Sequence, residues 1–112
     1  IIFFNERPIS MPASTMQPAV PFQQRHYLQW MAGIRALGGT EPISSLQLAL
    51  RLKPDVIYFL TDGNFNSRTA AELSQIVQRH SAIHTITFGQ RGAESLMKTI
   101  ATNNRGTYRF IP

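Results

Sequence analysis

The sequence predicts an α/β fold, a mostly parallel sheet with one antiparallel edge strand and helices on both faces. Three observations point to it. The apolar run Val56-Ile57-Tyr58-Phe59-Leu60 leads into Thr61-Asp62-Gly63, the pattern of a central strand buried on both faces that stops at a sharp turn. From residue 55 onward, strand-like runs alternate with helical spacing as strand, helix, strand, helix, strand, which is two successive β-α-β units. The 112 residues, 43% hydrophobic and 15% charged, suffice for one domain with a real core and exclude a disordered chain.

Each element has its own local signal. Ile1 to Phe4 is a short apolar strand broken by Asn5-Glu6-Arg7-Pro8, and Ile9 and Met11 alternate with Ser10 as an edge strand returning from a hairpin. Prolines and small polar residues make 12–21 a loop. Tyr27, Trp30, Met31, Ile34 and Leu37 fall on one stripe of a helix stopped by Gly38-Gly39, with core packing as the expected role of the aromatic and methionine side chains. Pro42 stands where a first helical residue is tolerated, and Ile43, Leu46, Ala49 and Leu50 continue at helical spacing. After the strand ending at Asp62, Thr69 and Glu72 have the form of a capping box ahead of Leu73, Ile76 and Val77. Ile83 to Phe88 is a strand closed by Gly89. Ala93, Leu96, Met97, Ile100 and Ala101 are helical, Asn103-Asn104-Arg105-Gly106 supplies left-handed caps, and Thr107 to Ile111 is the last strand.

Composition removes several functions. The absence of cysteine excludes disulfides, zinc-thiolate sites and cysteine nucleophiles. No run approaches the ~18 apolar residues of a membrane span. The net charge of +5 comes from nine arginines and two lysines scattered singly, without the clustering or aromatic interleaving of a nucleic-acid footprint, so no nucleic-acid partner is expected. The chain opens on Ile1-Ile2-Phe3-Phe4 without an initiator methionine, and residues 1–112 are therefore read as a single domain, incomplete at its amino terminus, from a longer protein.

Two polar residues converge at the carboxyl-terminal edge of the sheet, where ligands of open α/β sheets bind. Asp62 ends a strand, and Thr40 lies in the loop before the helix that precedes that strand. A carboxylate and a hydroxyl are hard oxygen ligands suited to Mg²⁺ or Mn²⁺, although two are too few for an ion that prefers six. Each also has a plainer reading, Thr40 as a helix N-terminal hydroxyl and Asp62 as a turn residue bonding its own backbone.

Gly38-Gly39-Thr40 before a helix, Val56 to Gly63, and Leu96-Met97-Lys98-Thr99-Ile100-Ala101 leading into Arg105-Gly106-Thr107-Tyr108 together resemble the von Willebrand factor type A domain, over nearly the whole chain and in the family's order of elements. The resemblance implies a Rossmann-like sheet with a metal-ion-dependent adhesion site at its top, its threonine ligand at Thr40 and its later aspartate at Asp62. The family's Asp-x-Ser-x-Ser motif, which supplies three of five metal-contacting side chains, does not occur in these residues. Mg²⁺ or Mn²⁺ is thus expected in the intact parent domain and not stably in this chain. By the same resemblance the strand at 1–4 is the family's second, and the central first strand is missing beside the strand ending at Asp62. Upstream residues, the 1–4 strand sliding against 56–61, or self-association is expected to fill the gap, because buried amides need partners.

The implied function is a protein-binding, adhesion-type module whose metal takes an acidic side chain of a protein partner, with Glu41, Gly63, Asn64, Phe65, Asn66 and Ser67 as the rim. The alternatives are a metal-independent scaffold of the same fold and a haloacid dehalogenase-like phosphatase fragment. The last resembles only the strand-Asp-Gly pattern. Position 60 is Leu60 and position 64 is Asn64, so the second acid is lacking. His80 and His84 straddle a turn and His26 stands apart, so no enzymatic activity is expected.

Overall fold

A computed structural model describes residues 1–35 and 40–112. In chain order the elements are β1 (Ile2–Phe4), β2 (Pro8–Ser10), α1 (Pro21–Ala32), α2 (Ile43–Arg51), β3 (Val56–Thr61), α3 (Ser67–Ser74), β4 (Ala82–Phe88), α4 (Glu94–Asn103) and β5 (Tyr108–Ile111). The α/β class and the element order are those read from the sequence. β3, β4 and β5 form a parallel sheet in that order, with Ile57 opposite Ile83 and Thr87 opposite Phe110.

One face of this sheet holds the core. Leu46 of α2, Ile57 and Phe59 of β3, Leu73 of α3, Ile83 of β4, and Met97 and Ile100 of α4 pack into one cluster, with Leu73, Ile83, Met97 and Ile100 fully buried. Two crossovers that step the same way across a sheet with the same right-handed sense put their helices on the same side. α3 and α4 therefore share a face. The opposite face does not meet the expected cover: Val56, Tyr58 and Leu60 are 43%, 66% and 51% exposed, so β3 alternates and is not buried on both faces. An unbroken apolar run cannot distinguish these cases, since period-2 geometry sends alternate side chains to whichever face has a neighbour.

The antiparallel element also differs in detail. β1 and β2 form a separate two-stranded sheet, Ile2 opposite Ser10 and Phe4 opposite Pro8, instead of an edge on the parallel sheet. The hairpin is anchored through rings: Phe4 lies 5.7 Å from Phe59, and Phe3 lies 5.8 Å from Trp30 of α1. The expected sliding of residues 1–4 into register with 56–61 does not occur. Within a single chain the gap stays open, and no described strand pairs with the outer edge of β3.

Helix ends account for other departures. α1 begins at Pro21, a position where the missing proline N–H is harmless, and closes at Gly33, whose N–H bonds the Trp30 carbonyl at 3.1 Å. The helix expected to carry its stripe on through Ile34 thus stops short of it, because Gly33 closes the last turn, and the Leu37 position and Gly38-Gly39 stop lie outside the described residues. Pro42 is the residue before α2 and not its first turn. α3 is capped by Asn66, whose Oδ1 accepts from the Thr69 N–H at 2.8 Å, so the cap lies three residues before the Thr69 and Glu72 pairing read from the sequence. Glu72 instead pairs with Arg68 at 3.3 Å on the exposed side. In α4, Lys98 at 2.6 Å and Arg91 at 3.0 Å both bond Glu94, and these bonds, Lys98 first, hold its carboxyl below the usual carboxylate range.

Candidate functional site

Only the turn at Leu52–Asp55 separates α2 from β3, and Leu46 of α2 shares a core cluster with Ile57 and Phe59 of β3, an arrangement that turns the amino end of α2 toward the carboxyl end of β3. Thr40 and Asp62 are both exposed there, in separate loops. Between them the chain is held by backbone: the Glu41 N–H donates to the Asn5 carbonyl at 2.6 Å, tying the α2 entry to the β1–β2 turn. The Glu41 carboxylate accepts from the N–H groups of Ile43 at 3.0 Å and Ser44 at 3.3 Å, filling the amino end of α2. This rim residue therefore faces its own helix.

The turn after β3 is built by side chains on its own backbone. Thr61, 4% exposed, accepts from the Gly63 N–H at 3.0 Å, and Asp62 Oδ1 accepts from the Asn64 N–H at 3.1 Å. Gly63 has φ +81°, a left-handed conformation, and a Cβ there would stand 2.5 Å from the Ala93 Cβ. Both constraints require glycine. Phe65 is half-buried against the core with its ring 6.3 Å from Phe59, so it braces the loop from inside. Asn64, Asn66 and Ser67 are exposed beside Asp62.

Thr61 and Ala93 read in the sequence only as strand and helix residues, yet they fix the turn that presents Asp62. A hydroxyl two residues before a turn glycine was the available signal for Thr61. Nothing local marks Ala93, which reaches Gly63 only through the tertiary fold. Gly63→Ala is expected to destabilise the fold by about 2 kcal/mol, the sum of a left-handed alanine and a close contact. Adding Ala93→Gly should restore only part of the loss, because the contact is relieved and the dihedral penalty is not. Denaturant titration of the single and double variants measures both.

The metal reading can be tested against these donors. Asp62 and Thr40 offer hard oxygens, but one Asp62 oxygen is committed to the Asn64 amide, and no group of three or more His, Cys, Asp or Glu gathers among the described residues. The described residues therefore do not make a complete ion centre. An open recess of about 360 Å³, lined by Leu50, Lys53, Gln78, Arg79 and His80, lies at the opposite, amino-terminal end of β3 and β4 and takes no part in this edge. Two of the three histidines bond backbone: His80 Nε2 is 2.8 Å from the Lys53 carbonyl, and His84 Nδ1 accepts from the Thr107 N–H at 3.1 Å, while His26 is exposed on α1.

The element order, the Asp62-Gly63 turn and the α4–β5 junction all fit one family, and the family model described as von Willebrand factor type A domain matches residues 14–110. The chain belongs to the von Willebrand factor type A family. No individual curated protein matches it. Domains of the type A family generally mediate protein interactions, and this type A chain carries no described helix long and apolar enough to cross a membrane.

Proposed function

We propose that this type A domain is a protein-binding module that uses the carboxyl-terminal edge of β3, and not an enzyme. The observation that carries the reading is Asp62: exposed, at the strand's end, on a turn rigidly set by Thr61, Gly63 and Asn66. In the complete domain, Asp62 and Thr40 would be two oxygen ligands of a Mg²⁺ or Mn²⁺ ion that also takes an acidic side chain of the protein partner. The ion would supply a hard cation between two sets of oxygen donors. Asn64, Asn66 and Ser67 would form the polar rim around the contact, and Glu41, Gly63 and Phe65 would shape it from behind. Against catalysis stand the backbone bonds of His80 and His84 and the absence of an acid two residues from Asp62 on either side.

A second reading, a metal-independent scaffold, draws on the bond from the Asn64 amide to Asp62, which already gives the carboxylate a structural use. One experiment separates the two. Calorimetric titration of Mg²⁺ into the complete domain and into its Asp62→Ala variant should show binding weakened by about tenfold or more in the variant. Equal affinity in both would refute the metal reading and leave the scaffold.

A further inference from the structure

Because β3, β4 and β5 are parallel, the connections that lead from a helix into each of them return to one edge, the amino-terminal edge of the sheet. Those connections, at 52–55, 75–81 and 104–107, carry Lys53, Arg79 and Arg105, and Arg51 closes α2 beside the first. All four bases are exposed, and Asp55 is the one acid in the three connections. The described ion pairs, which join Arg68, Arg91 and Lys98 to glutamates, include none of the four. The end of the sheet away from Asp62 is therefore a basic edge. Cations beside helix carboxyl ends have a plain cause, since they complement the helix dipole. That cause does not account for the backbone. Lys53 follows the C-cap of α2 at φ +52°, and Arg105 follows the C-cap of α4 at φ +58°. They are the two left-handed non-glycine residues among the described residues. Glycine is the usual occupant of this position, because a side chain there is strained. A cation within the last turn, as Arg51 is, serves the dipole without that strain. The edge thus holds bases where folding alone favours glycine, and local strain of this kind gathers at functional sites.

We propose that this edge is a second protein-docking surface, which takes an acidic segment of a partner with an apolar side chain seated against Leu50 and carboxylates on Lys53, Arg79 and Arg105. The recess at this edge, about 360 Å³, is at the low end of the size of ligand recesses, with Leu50 as its apolar wall and Lys53, Arg79 and His80 around it. It is held in shape from below: His80 Nε2 is 2.8 Å from the Lys53 carbonyl, and the Ser81 hydroxyl donates to the Pro54 carbonyl, so the first two connections are tied together and Lys53 is kept left-handed. β5 lies two strand spacings, about 10 Å, from β3, a distance that about three residues of extended peptide cover. Nucleic acid fits less well. The three connections contain no phenylalanine, tyrosine or tryptophan, so bases would find no ring to stack on. The surface uses neither Asp62 nor a metal ion, and it stands or falls apart from the carboxyl-terminal edge.

Fluorescence anisotropy of a labelled Glu-Glu-Leu-Glu-Glu peptide titrated with the complete domain, at low salt and with a chelator present, tests the proposal without involving the metal site. The peptide should bind. Lys53→Gly combined with Arg105→Gly should weaken binding by about tenfold, while the variant melts no lower than the unsubstituted domain, because glycine relieves both left-handed positions. Arg79→Gln alone should weaken binding by about threefold, and so should serine in place of the peptide's leucine. Absence of binding, or equal affinity in the double-glycine variant, would overturn the proposal. A lowered melting temperature in that variant would overturn its premise and assign the two bases to folding. An oligothymidine of equal charge that binds more tightly than the peptide would overturn it in favour of a nucleic-acid surface.

Discussion

Gly106→Ala is expected to be the most damaging small substitution in the molecule. A Cβ at this position would stand 1.8 Å from the Ile83 carbonyl oxygen and 2.9 Å from the His84 nitrogen, both backbone atoms of β4. No rotamer change relieves contact with a backbone. The start of β5 would have to lift away from β4, and the bonds on either side of Gly106 would go with it: Ile83 N–H to the Asn104 carbonyl at 3.1 Å and Thr85 N–H to the Thr107 carbonyl at 2.9 Å. The expected loss is about 3 kcal/mol or more, a large share of the stability of a domain this size. Chemical denaturation measures it, and a change within about 0.5 kcal/mol would show that the close approach is not real.

Asn104 is the second such position, and its test separates hydrogen bonding from volume. It is completely buried, and its amide is fully used: Nδ2 donates to the Ile76 carbonyl at 2.7 Å and the Ile100 carbonyl at 2.9 Å, while Oδ1 accepts from the Gln78 backbone and side chain, both at 3.1 Å. One side chain thus ties the connection between α3 and β4 to the end of α4. Asn104→Asp keeps the size and replaces the donors by oxygen, which would face two carbonyls. The expected loss is about 3 kcal/mol, at least as large as for Asn104→Ala, because buried groups are left unpaired or opposed. If Asn104→Asp were tolerated at neutral pH, the amide network would be incidental and the site only a matter of packing.

These two residues also show where sequence reasoning stopped. The run Asn103-Asn104-Arg105-Gly106 reads as a left-handed cap, and one residue there is left-handed, but it is Arg105 at φ +58°. Gly106 is glycine because a strand passes beside it, and Asn104 is asparagine because the segment at 76–78, distant in sequence, converges with the last turn of α4 on its amide. Neither reason is local. What was legible follows from period and punctuation: the β-α-β order, the α4 stripe of Ala93, Met97, Ile100 and Ala101, and Asp62 at a strand tip before a turn glycine. The exposed face of β3 was illegible because Val56, Tyr58 and Leu60 are apolar whether or not anything covers them. At the site, Phe65 and Glu41 read as rim residues, yet the first packs on Phe59 and the second caps α2. Loop polarity marks a neighbourhood and does not say which way a side chain turns.

The central functional claim is that Thr40 and Asp62 serve one ion. Paramagnetic broadening of amide NMR signals by dilute Mn²⁺ tests it in this chain, because it detects binding too weak for calorimetry and reports where the ion sits. Broadening should centre on Thr40 and on Asp62 to Asn64, spare Asp55 at the far end of β3, and vanish with Asp62→Ala. Broadening spread evenly over all exposed carboxylates, or confined to Asp62 with Thr40 untouched, would contradict a shared site.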